Sequence, residues 1–181
     1  MKQKSKKWVT VIVGLFIISL MVTSILSLNS DSEEKIKVNG YKFTKVNTGY
    51  MTYKDDKQII VTNNPLELQS LEINKDILNL NNNLKIYLSV DSLLSARLKT
   101  AISGLFTSPI TMAANTNEKS IEYNLPLKTC KDSTSTEGVI TLVSTETNQL
   151  SFNDNCLELK GNDDYFIKVL EKLKLTSEGI L

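Results

Sequence analysis

Two cysteines and one missing residue type bound the chemistry open to this chain. Cys130 and Cys156 are its only cysteines, and it has no histidine. A Ser-His-Asp triad and a His-based zinc site are therefore excluded, together with the commonest general base near neutral pH. An isolated cysteine pair in an oxidising compartment reads as one disulfide. Closing a loop of about 25 residues contributes roughly 3.5 kcal/mol in the chain-entropy picture. A redox-active pair is the alternative use, but such pairs usually sit as Cys-x-x-Cys, and these do not.

Other groups are weaker candidates. Ser32-Glu33-Glu34-Lys35 has the Ser-x-x-Lys spelling of some acyl enzymes, but it lies in a polar tether without the rigid helix that such motifs need. Asn153, Asp154 and Asn155, and again Asn162, Asp163 and Asp164, offer oxygens to calcium. Neither set has the ligand spacing of a calcium loop, and both fall where a turn or a helix cap is required. Carboxylate chemistry on envelope glycans needs only Asp, Glu and Tyr, yet no pair can be nominated, because separation in space is invisible here. There is no glycine-rich phosphate loop, no paired-cysteine metal site and no repeat. Catalytic residues stay unknown, and no cofactor or metal is expected.

The elements that position these groups begin with the apolar run Trp8 to Leu28, preceded by Lys2, Lys4, Lys6 and Lys7. As a helix of about 21 residues it would rise roughly 31 Å, the thickness of a bilayer core. The expectation is a basic cytoplasmic tail over 1–7, a transmembrane anchor over 8–28 in contact with the lipid bilayer, a linker over 29–35 and an extracytoplasmic domain over 36–181. Asp31, Glu33 and Glu34 after the run, against the lysines before it, set that orientation in a single-pass protein of the cell membrane. A cleaved signal peptide, ending near Val22-Thr23-Ser24, is the rival reading. No cysteine ends the run to take a lipid, and the run lacks the acidic residue usual near the start of a pilin-like helix. Four of the 21 basic residues precede the run, which leaves 17 basic against 20 acidic residues and no basic patch for nucleic acid.

Ile36 to Thr62 reads as a three-stranded meander. Tyr41 to Val46, Met51 to Lys54 and Gln58 to Thr62 alternate apolar with polar residues, with turns at Asn47-Thr48-Gly49 and Asp55-Asp56. Leu66 to Leu80 is ambiguous, and Asn81 to Asn83 is a breaker. Leu84 to Val90 is a strand, and Asp91 reads as the N-cap of a helix of about 15 residues with Leu94, Leu98, Ala101, Ile102 and Leu105 as its apolar stripe. Ile110 to Ala114 and Ile121 to Tyr123 suggest short strands. Gly138 to Ser144 suits a strand covered on both faces. Leu150 to Phe152 and Cys156 to Lys160 form a hairpin about the Asn153 to Asn155 turn. A last helix spans about Asp163 to Leu175. It buries Phe166, Val169, Leu170 and Leu173, and shows Lys168, Glu171, Lys172 and Lys174 to water.

The segment Asn155 to Gly161, the helix after it and the ending Glu178-Gly179-Ile180-Leu181 resemble the end of uncharacterised small single-span archaeal envelope proteins. The Asn-Pro-Leu-Glu stretch Asn64 to Glu67 and the strand Lys85 to Tyr87 carry the same resemblance. It implies an anchored outer domain and no particular reaction.

The expected architecture is α+β: one mainly antiparallel sheet with the Asp91 and Asp163 helices packed on it. The expected role is an interaction or structural component of the cell envelope with an envelope protein as partner. The alternatives are a carboxylate enzyme or a thiol-redox protein using Cys130 and Cys156.

Overall fold

The computed structural model describes residues 12–23, 35–92, 94–103 and 105–181. It divides into two units, Met1–Glu34 and Lys35–Leu181. In the first unit, the described residues 12–23 are helical and are called α1. The expected transmembrane span over 8–28 is not found. Among the described residues no helix is long and apolar enough to cross a membrane. Residues 8–11 and 24–28 of that expected span lie outside the described residues. The basic tail, most of the linker and residues 32–34 of the Ser-x-x-Lys spelling lie outside the described residues.

The fold is α+β, but it holds two sheets where one mainly antiparallel sheet was expected. The first is an antiparallel meander, β1 (Lys35–Val38), β2 (Tyr41–Val46), β3 (Gly49–Lys54) and β4 (Lys57–Val61), paired in that order. Its first hairpin turns at Asn39-Gly40, both with positive φ (46° and 89°), so the meander has four strands and not three. Asn-Gly between alternating strands is the strongest short hairpin signal. Asp55 and Asp56 also take positive φ (48° and 61°) and turn β3 into β4.

Gly49 opens β3 at φ 138°, where a Cβ would lie 2.1 Å from the Val61 carbonyl oxygen and 2.6 Å from the Thr62 Cα. The close approach lets the start of β3 pair beside the end of β4. We expect Gly49→Ala to cost roughly 3 kcal/mol, from backbone strain and overpacking together. Gly40→Ala, with nothing within 4 Å of the added Cβ, should cost only about 1–2 kcal/mol. Urea unfolding of the two variants side by side checks the difference; equal losses would refute it.

After α2 (Pro65–Ser70) and a 3-10 segment over Lys75–Asn82, the chain enters the second sheet. Its strands are β5 (Lys85–Val90), β6 (Ile110–Ala114), β7 (Glu137–Ser144), β8 (Gln149–Asn153) and β9 (Cys156–Gly161), in the order β6-β5-β7-β9-β8. All neighbours are parallel except the β8–β9 hairpin. The parallel pairs need crossovers, and α3 (Ala96–Ile102) and α4 (Asn117–Tyr123) lie within them.

Two local readings change with this topology. Asp91 caps no helix: its carboxylate accepts the Ser144 amide N–H at 2.6 Å and the Ser144 hydroxyl at 3.0 Å, tying the ends of β5 and β7. Helix α3 starts instead after Ser95, whose hydroxyl accepts the Leu98 N–H at 3.2 Å. Ile121 to Tyr123 ends a helix and not a strand, capped by Asn124 at φ 50°, and Ile121 is exposed.

One face of the second sheet is the main core. Ile86, Leu88 and Val90 of β5, Ile140 and Leu142 of β7, and Leu157 and Leu159 of β9 pack there against α3 and against α5 (Asp163–Ser177). Helix α5 continues into a second core. Leu175 and Ile180 join Val38, Phe43, Ile59 and Val61 of the meander, with Leu68 of α2. The far face of the second sheet holds a small cluster of Tyr87, Ala113, Val139 and Cys156 with Cys130 beside it.

Candidate functional site

The site is built by α5, α3 and the meander. Along α5 the buried arc is wider than a single stripe, because Ile167 and Leu175 are buried as fully as Phe166, Leu170 and Leu173. Glu171 lies one turn from both Ile167 and Leu175, inside that arc, and only 3% of it is exposed. The expectation that it faces water is overturned. A buried carboxylate needs partners, and the end of β4 supplies them. Oε1 accepts the Thr62 N–H at 2.6 Å and the Thr62 hydroxyl at 2.7 Å. Oε2 accepts the Asn63 N–H at 3.0 Å and the Asn63 side-chain amide at 2.8 Å. Four donors on one carboxylate fix α5 to the meander.

Beside this clamp an open cleft of ≈ 870 Å³ lies between the β2–β3 hairpin, the end of β4, α3 and α5. Val46, Tyr50, Ile60, Ala96 and Ala101 form its apolar surface, and Lys45, Arg97 and Lys174 bring cationic groups to it. Arg97 also pairs with Asp164 at 3.1 Å, both side chains being exposed. Glu171 is the one carboxylate in the lining, and its oxygens are taken up by Thr62 and Asn63. A smaller cleft of ≈ 310 Å³ lies between α2 and Lys168. Its carboxylate, Glu67, pairs with Lys168 at 3.2 Å. Neither cleft brings two carboxylates together for acid–base work.

Cys130 and Cys156 are joined, with S–S 2.08 Å and Cα–Cα 5.3 Å. Cys130 opens a 3-10 turn (Cys130–Asp132) and Cys156 opens β9. The bond therefore pins the 126–134 segment to the far face of the sheet. Ser89 reinforces it by donating its hydroxyl to the Lys128 carbonyl. Asp132 closes the turn by accepting the Thr129 N–H at 2.8 Å and the Thr129 hydroxyl at 2.9 Å. Those donors, the backbone N–H foremost, hold its carboxyl below the usual range. On the same face, the Lys85 and Lys128 ammonium groups lie 4.4 and 4.5 Å from the centroid of the Tyr87 ring. Cys156 is only 4% exposed, a poor position for a thiol that must exchange with a partner.

The two oxygen-rich sets considered for calcium are apart in role. Asp154 and Asn155 make the positive-φ turn of the β8–β9 hairpin. Asn162 caps α5 by accepting the Tyr165 N–H at 2.9 Å, with Asp163 and Asp164 in the first turn. Among the described residues no group of three His, Cys, Asp or Glu side chains is placed to hold a metal ion.

No protein-family model, curated protein or solved structure matches the chain.

Proposed function

We propose that residues 35–181 form an extracytoplasmic interaction domain of the cell envelope that holds a partner and does not transform a substrate. The observation that carries this reading is the wide, cation-edged cleft whose single carboxylate is committed to the fold. A pocket with an apolar floor and a few polar groups is the ordinary form of a binding site, and acid–base hydrolysis would ask for a second carboxylate beside the first. The Cys130–Cys156 bond supports the compartment, since such bonds persist where thiols are not kept reduced.

The test is a photo-reactive residue placed at Thr100, on the cleft wall, in intact cells. The same residue at Ser151, on β8, is the control. A discrete adduct from position 100 and none from 151 is the expected result. Equal labelling at both positions, or none at either, removes the reading.

A further inference from the structure

Resting on that reading, we propose that the cleft takes a small anionic ligand with an apolar body, a phosphate or carboxylate head on a short hydrocarbon. The charge balance of the lining is the first argument. Arg97 from α3 and Lys174 from α5 reach it from two different walls, and Lys45 reaches it from the hairpin. Against them stands Glu171 alone, 3% exposed, with its oxygens spent on four donors of Thr62 and Asn63. It offers an incoming anion little repulsion at hydrogen-bonding range, and it leaves no acceptor to attract a cation.

Availability of the cations is the second argument. The Lys174 ammonium has no ion-pair partner among the described residues. The Arg97–Asp164 pair has side chains 60% and 69% exposed, and exposed pairs of this kind hold together weakly enough to be exchanged for a ligand. A guanidinium fork also matches the two oxygens of a phosphate or carboxylate.

The apolar body follows from the rest of the surface. Val46 and Tyr50 on the meander and Ala96 and Ala101 on α3 line the same cleft. Inorganic phosphate alone would leave that surface wet. A volume of ≈ 870 Å³ lies within the roughly 300–1,000 Å³ of small-molecule sites.

The experiment titrates the full chain with octyl phosphate below its micelle concentration, read by calorimetry and by amide shifts of residues 46–50 and 96–101. Saturable binding is expected, weaker by on the order of tenfold for octylamine and for inorganic phosphate. Arg97→Glu with Lys174→Glu should lower the affinity by at least about tenfold, and Arg97→Gln with Lys174→Gln by less. Vesicles of phosphatidylglycerol form a separate arm. Binding to vesicles without octyl phosphate binding would place the anion on a membrane surface and overturn the proposal. So would octylamine binding as well as octyl phosphate, or indifference to charge reversal. If position 100 still forms its adduct in cells while octyl phosphate fails, the anionic ligand falls and the interaction reading stands. If both fail, both fall.

Discussion

Replacing Glu171 by alanine should lower the urea midpoint of unfolding by about 2 M. The substitution strands the N–H groups of Thr62 and Asn63, the Thr62 hydroxyl and the Asn63 amide where the carboxylate had excluded water. Hydrogen bonds to a charged acceptor contribute about 1.5–3 kcal/mol each, and buried donors left without partners cost more than the bonds themselves were worth. The four share one acceptor and some regain water, so a net loss of about 4 kcal/mol is the reasonable figure. With an m-value of about 2 kcal/mol/M, that becomes the 2 M shift. Glu171→Gln sharpens the test. It keeps one oxygen for Thr62 but turns an NH₂ group toward the donors of Asn63, so about half the loss should remain. A solvated glutamate on an exposed helix face would change stability by less than about 0.5 kcal/mol. A result in that range would mean the clamp between α5 and β4 does not exist.

Removing the disulfide should cost nearly as much. Cys130 and Cys156 are separated by 26 positions in sequence, a loop whose closure is worth about 3.5 kcal/mol through the unfolded state. We expect Cys130→Ala with Cys156→Ala to lose about that amount, and the reduced native sequence to match it. Hydrogen exchange should locate the change. Amides of 126–134, which the bond holds over Tyr87, Ala113 and Val139, should lose protection before those of β5 and β7. If the reduced protein unfolds at the same urea concentration as the oxidised one, the pair does not staple the fold. Cys156, 4% exposed, should in addition resist mild reductant in the folded protein; ready reduction would return weight to the thiol-redox alternative.

Some of what the reading of the sequence missed depends on a partner far along the chain, and some on local signals. Asp91 has the form of an N-cap, and nothing near it argues otherwise. Its carboxylate is drawn to Ser144, 53 positions away, and the helix waits until Ser95. Ile121 to Tyr123 is short and apolar enough to pass for a strand, but Thr116 caps a helix there by accepting the Lys119 N–H. Glu171 had a local signal, the buried residues Ile167 and Leu175 one turn to either side. A stripe drawn through Phe166, Val169, Leu170 and Leu173 alone was too narrow to include it. The missing fourth strand of the meander was also legible, in Asn39-Gly40. The membrane span was inferred from hydropathy over 8–28, whereas the helix described covers only 12–23.

What the sequence by itself determined are the properties set by near neighbours and by counting. Alternation marks β2 to β4, β5 and β9, and a nearly continuous apolar run marks β7. The 3.6-residue period and Asn162 mark α5. Two cysteines and no others allow only one intramolecular bond. The tertiary structure alone decided the rest: that β5, β7 and β9 run parallel, that α5 serves two cores, and that Glu171 is clamped beside an open cleft. These depend on which distant segments meet. A strand's alternation specifies a face to bury but not a neighbour or a direction. The same glutamate is a surface charge or a buried clamp according to whether the end of a strand 108 positions away arrives to receive it.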